Sequence, residues 1–166
     1  MASFDQALPW VLKHEGGWSD DPADPGGATM KGITLATASK YGITTKEALR
    51  AISDDMVEMI YLEGYWRHQG IESQAVATKL FDVAVNMGPA VSARIGQRVC
   101  QILGQNVTVD GRLGPNTVAA INACNPDEFL HTMVELLRQH YNSLAEQAPK
   151  LAKFLAGWMR RAEDIP

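Results

Sequence analysis

Apolar residues recur at helical spacing almost from the start of the chain. Leu8, Val11 and Leu12 fall on one stripe of a first helix over about residues 4–15. Pro9, tolerated without a kink only in a helix's first turn, places the true start close before it. Glu15 stands at i+4 from Val11 and i+7 from Leu8, so a carboxylate extends the apolar face. Thr34 is placed to cap a short helix through Tyr41 that Gly42 ends, and Thr44 with Glu47 forms a capping box for a helix over 46–52. Ser53, followed by Asp54 and Asp55, opens another helix with Met56, Ile60 and Tyr61 facing inward.

Beyond Ser73 the apolar positions Leu80, Phe81, Val83, Ala84 and Met87 are too frequent for a one-sided stripe, which predicts a buried central helix. Gly88-Pro89 restarts the pattern as a helix over 90–103 closed by Gly104, and Pro115 is placed as the first residue of a further helix. Asn125-Pro126 precedes a long helix over 127–147 and a final one over 150–162. Strand alternation is never sustained. Residues 107–109 and short pieces within 18–33 are the places for a small hairpin. The pattern predicts a mainly α fold, α+β only to the extent of that hairpin, in a single compact helical domain.

Composition narrows the function. A chain of 166 residues with 46% hydrophobic and 20% charged positions can bury a real core as one domain. A formal charge of −4 without any Lys/Arg run gives no footprint for nucleic acid. The N-terminal stretch lacks a basic leader, and Asp5, Gln6, Pro9 and Lys13 interrupt its apolar residues, so neither a signal peptide nor a membrane span is expected. Synthesis in a cytoplasm follows from that reading. Cys100 and Cys124 lie in apolar helical segments without C-x-x-C spacing and read as buried, reduced thiols.

The densest chemistry lies in HEGGWSDDPADPGGATMKGIT, residues 14–34. Gly16, Gly17, Gly26 and Gly27 open backbone conformations while Pro22 and Pro25 stiffen what lies between, an alternation foreign to a plain linker. Burial of a carboxylate at the end of an apolar face raises its pKa, as a general acid requires, so Glu15 suits protonation of a leaving oxygen. It suits equally a helix-terminal residue turned to solvent. Asp20, Asp21 and Asp24 add carboxylates, and Thr29 and Thr34 add hydroxyls able to position a water, a set that fits a glycosidase.

Other chemistries lack their patterns. The aspartates do not follow the EF-hand order, and His14, His68, His131 and His140 show no H-E-x-x-H spacing, so no metal or other cofactor is expected. Trp18, Tyr61, Tyr65 and Trp66 read as sugar-stacking rings or as core aromatics. Asn86 reads as an amide for an acetamido group or as a helix-terminal residue. The run Asp110-Gly111-Arg112-Leu113-Gly114-Pro115 reads as a turn feeding a helix.

The 14–34 segment, with YWRHQGIESQAVATKLFDVAVNMGP and VTVDGRLGPNTVAAINA, resembles glycoside hydrolase family 108, the N-acetylmuramidases of phage endolysins and bacterial peptidoglycan hydrolases. The resemblance spans nearly the whole chain. It implies a lysozyme-like fold with a cleft beside residues 15–34 and places the family's catalytic glutamate on Glu15, in Glu15-Gly16-Gly17-Trp18. Asp24 and Thr29 are the nearest matches to the Asp and Thr of phage lysozymes, at a different spacing. Substrate contacts are expected from Trp18, Thr34, Tyr65, Trp66 and Asn86. Residues 1–88 then form the catalytic part, and 89–166 a C-terminal helical part with a peptidoglycan-binding-type motif, packed into the same globule.

The implied reaction is hydrolysis of the MurNAc-GlcNAc β-1,4 bond, with peptidoglycan glycan strands as partner. A lytic transglycosylase forming 1,6-anhydro-MurNAc and a non-catalytic peptidoglycan-binding or secretion-assisting module are the alternatives. As an endolysin, the protein is expected to be a monomer that accumulates in the host cytoplasm, without stable membrane insertion, and reaches the wall through a membrane-opening helper or a dedicated export route. Trp158 and the Arg160-Arg161 pair stand as further wall contacts.

Overall fold

The computed structural model of the chain describes residues 1–20 and 27–166. In chain order its elements are α1 (Phe4–His14), β1 (Trp18–Ser19), β2 (Thr29–Met30), β3 (Ile33–Thr34), α2 (Leu35–Ser39), α3 (Lys46–Arg50) and α4 (Asp54–Gly64). There follow α5 (Gln74–Met87), α6 (Pro89–Ile102), α7 (Pro115–Asn122), α8 (Pro126–Gln147), a 3-10 turn (Pro149–Phe154) and α9 (Leu155–Glu163).

The apolar density of α5 has the consequence its pattern predicts. Every residue from Val76 to Ala84 is buried, with α1, α6 and α8 packed around the helix. Ser73 caps it, accepting a hydrogen bond from the Val76 N–H at 3.3 Å. A helix buried on all sides must satisfy any charge it carries from its neighbours. Lys79 does so by donating from Nζ to the carbonyls of Arg161 and Asp164, each at 2.6 Å. Both carbonyls lie at the C-terminal end of α9, where a cation is favoured by the helix dipole.

Three local expectations shift. α1 starts well before Pro9, because both Pro9 and the residue whose carbonyl loses its donor, Asp5, are exposed to water. The cap of α3 is Thr45 rather than Thr44, its Oγ1 accepting from the Ala48 N–H at 3.1 Å, and α3 stops at Arg50. Residues 107–109 form no strand, since the Val107 carbonyl accepts instead from the Gln101 side chain at 2.8 Å. At the C-terminus Pro149, lacking an N–H, begins a separate 3-10 turn before α9.

The hairpin forms where the Gly-rich segment allows it. β2 and β3 pair through Thr29↔Thr34 and Met30↔Ile33, so Lys31-Gly32 is a two-residue loop. Both loop residues have positive φ, 48° and 74°, the requirement of a type I′ turn. Residues opposite one another share a face. Trp18, Met30 and Ile33 therefore pack inward, and Ser19, Thr29 and Thr34 line the other face.

His68 lies in an aromatic cluster with Phe4, Trp66 and Phe81 and is 1% exposed. Burial, reinforced by the charge of Arg67, pushes its pKa down to about 3. An unfolded histidine takes up a proton below about pH 6.5 while the folded one does not, so stability present above that pH is lost as the pH falls toward 3. Urea unfolding at pH 7, 5.5 and 4.5 should show the wild type losing about 1.4 kcal/mol per pH unit below 6.5 relative to His68→Phe. Parallel pH dependences for the two proteins would show that His68 is not buried neutral.

Candidate active site

Glu15 leaves the end of α1 in extended backbone, φ −89° and ψ 134°, with its N–H bonded to the Leu12 carbonyl. Its side chain is 14% exposed. Oε1 accepts a hydrogen bond from Nη2 of Arg161 at 2.8 Å. The same guanidinium donates from Nε to Oδ1 of Asp82 at 3.0 Å and places Nη2 at 2.9 Å from that oxygen. One planar fork thus ties α1, α5 and α9 together. Burial opposes the charge on Arg161, yet Asp82 and Glu15 outweigh it and hold the guanidinium above its ordinary range.

The hairpin closes on the carboxyl group from the other side. A Cβ at Gly32 would stand 2.8 Å from both Glu15 Cδ and Tyr61 Oη, and the residue's φ is +74°. Glycine is therefore required by space and by conformation. Tyr61 Oη donates to the Lys31 carbonyl at 2.7 Å and so fixes the turn over Glu15. Burial, followed by the charge of Glu15, pushes the Tyr61 phenol well above its ordinary value, so it stays a neutral donor. Among the described residues, no group of three His, Cys, Asp or Glu is placed to hold a metal ion.

The expected site residues part company here. Thr29 lies in β2 on the outer sheet face. Thr34 shares that face, but its Oγ1 accepts from the Thr37 N–H at 3.1 Å and bonds the Thr37 hydroxyl, so it serves as the cap of α2. Trp18 is half-buried with the Arg50 guanidinium 5.7 Å from its ring centroid. Tyr65 is half-buried beside Tyr61, 5.7 Å between centroids. Trp66 is a correction: at 4% exposure, with Phe4, Phe81 and His68 against its ring, it has no face left for a sugar.

Asn86 donates from Nδ2 to Tyr141 Oη at 2.6 Å. It lines a groove of about 760 Å³ with His14, Trp158 and Arg161, on the Arg161 side of the site. Asp21 and Asp24 lie outside the described residues. Asp20 pairs at the surface with Lys46 at 2.9 Å. The residues that pattern reading missed are Asp82 and Lys79, and Arg161 as the partner of Glu15 rather than a wall contact. Their signal was present as two opposite charges, three residues apart, inside the otherwise apolar 76–84 run.

A mainly helical domain whose small antiparallel sheet closes over a glutamate at the end of the first helix has a lysozyme-like architecture, the setting of a glycoside hydrolase. Residues 8–88 match the family model described as Glycosyl hydrolase 108, and residues 91–163 match one described as Predicted Peptidoglycan domain. The structure of Brucella abortus SagA is similar at 31% identity and a TM-score of 0.76, covering 96% of this chain and 88% of that one. No curated protein matches the chain. The chain belongs to glycosyl hydrolase family 108 and is a peptidoglycan-acting glycosidase. Arg161, from the second matched segment, pairs with Glu15 in the first.

Removing that arginine strips the Glu15 carboxylate of its partner and leaves Asp82 with only the Lys79 ammonium, 4.0 Å away. Arg161→Leu should lower unfolding free energy by about 3–5 kcal/mol in urea titrations. Arg161→Lys should recover only part of the loss, because a single ammonium lacks the fork that reaches both acids. Equal stability of wild type and Arg161→Leu would show that the guanidinium does not hold the three helices.

Proposed function

We propose that the protein hydrolyses the MurNAc-GlcNAc β-1,4 bond of peptidoglycan, with Glu15 as the acid that protonates the leaving glycosidic oxygen. The single observation that carries this reading is the placement of Glu15. Its carboxyl group is held at one oxygen by Arg161 and bounded by the Gly32 turn, so it is oriented and largely shielded from water. Orientation alone does not make an acid. The group must also be able to exist as the neutral acid without stranding the charge beside it.

Asp82 supplies the means. Both Nε and Nη2 of Arg161 already lie within reach of Asp82 Oδ1, so the guanidinium keeps a buried counter-charge when Glu15 becomes neutral. Protonation of Glu15 then strands no buried charge. In the proposed sequence Glu15 gives its proton to the bridging oxygen, positive charge develops on the MurNAc ring, and a water positioned by Thr29 or Asp24 attacks, its released proton passing to the Asp24 carboxylate or to solvent. Thr29 faces away from the core on the sheet that bounds Glu15, which supports it as the hydroxyl of that pair. Trp18, Tyr65 and the Asn86 amide are the proposed glycan contacts.

Mass spectrometry of fragments released from purified peptidoglycan tests the reading. Wild type should release fragments with reducing-end MurNAc, and Glu15→Gln should slow release by about 10²–10⁴-fold while keeping its fold. Anhydro-MurNAc ends would instead assign a lytic transglycosylase. Sedimentation with walls without any released fragment would assign a binding module.

A further inference from the structure

A second cavity lies away from Glu15, between the segment joining α4 to α5, the start of α6 and the turn before α7. It holds about 390 Å³ and is lined by Tyr65, Arg67, His68, Ala90, Arg112 and Leu113, with no acidic residue among the described residues of its wall. Its two guanidinium groups form no ion pair: among the described residues neither has a carboxylate oxygen within 4.0 Å. Both are nevertheless held in place. Arg67 donates from Nη1 to the Trp66 carbonyl at 3.2 Å and from Nη2 to the Glu63 carbonyl at 2.7 Å, leaving the rest of its fork unused.

Arg112 is positioned through its backbone. Buried Gln97 accepts from the Gly111 N–H at 2.9 Å and donates to Asp110 Oδ1 at 2.7 Å and the Arg112 carbonyl at 3.0 Å. Asp110 Oδ1 also accepts from the Arg112 N–H at 2.9 Å. A Cβ at Gly111, φ +79°, would stand 3.2 Å from the Ala90 carbonyl, so glycine lets this turn press against the start of α6. The Asp-Gly-Arg run is thus a rigid turn whose arginine lines the cavity together with Arg67.

Two further donors belong to residues that line it. His68 Nδ1 accepts from the Arg67 N–H at 3.2 Å, which puts the ring proton on Nε2. Nε2 is buried and has no hydrogen-bond partner. The start of α6 has no side-chain cap, and its residue Ala90 lines the cavity. Two guanidinium groups without carboxylate partners in one cavity describe a site for an anion of modest size.

We propose that this cavity binds a carboxylate of the peptide carried by the glycan strand, clamped between Arg67 and Arg112. The assignment rests on peptidoglycan as the substrate, in which the N-acetylated sugars are uncharged and the peptide bears the carboxylates. Tyr65 supplies the connection, lining the cavity while its ring neighbours Tyr61, whose hydroxyl borders Glu15 and Gly32. A glycan lying over Glu15 therefore has a route for its side peptide into the cavity.

The dipeptide L-Ala-γ-D-Glu, which carries two carboxylates, is a direct probe. Titrated calorimetrically into the full-length protein, it should bind saturably to wild type, about tenfold or more weakly to Arg112→Gln, and still more weakly to the Arg67→Gln/Arg112→Gln pair. Arg112→Gln leaves the Arg67 bonds intact, and unchanged thermal unfolding of that variant shows that the loss is not one of fold. Equal binding to wild type and variants, no binding to wild type, or tighter binding of inorganic phosphate than of the dipeptide would each overturn the proposal. Activity of wild type on intact peptidoglycan tests the hydrolase reading separately. An inert enzyme that still binds the dipeptide through the arginines would retire that reading and leave the carboxylate site standing.

Discussion

One buried guanidinium organises this protein. Arg161 lies in the last helix, 146 residues from the glutamate it bonds, and reaches past it to an aspartate of the central helix that is itself 2% exposed. Buried ion pairs contribute little net stability against an apolar replacement, because desolvation cancels most of the attraction. Their value lies in specificity, since any other arrangement of α1, α5 and α9 strands a charge in the interior. Lys79 extends the same logic, its ammonium gripping the carbonyls at the end of the helix that bears Arg161.

The joint also explains why the two family-matched segments cannot be treated as enzyme and appendage. The segment matched as a peptidoglycan domain supplies the arginine beside Glu15, while the glycosyl hydrolase segment supplies the central helix on which α6 and α8 pack. The cavity between Arg67 and Arg112 is likewise built from both. Site geometry therefore depends on the packing of the C-terminal helices as much as on the Gly-rich segment.

Around Glu15 the constraints are steric as well as electrostatic. The type I′ turn at Lys31-Gly32 brings backbone so near the carboxyl group that no side chain fits, and the Tyr61 hydroxyl locks that approach. The turn, the Tyr61 hydroxyl and the arginine together surround the Glu15 carboxyl group. Trp66, by contrast, stands next to half-buried Tyr65 in sequence yet is enclosed by Phe4, Phe81 and His68.

The order and kind of the helices, the burial of α5 and the capping of α2 by Thr34 were legible in the chain, because each depends on spacing and turn chemistry within a few residues. Glu15 was legible in the same way, as a carboxylate ending an apolar stripe beside glycines. Its partner was not. Nothing local distinguishes Arg161 from Arg160, and only the packing of α9 against α5 turned one inward to Asp82 and left the other exposed. Local pattern thus determined the elements and the acid, while tertiary packing decided which charges were taken out of water and therefore had to find one another.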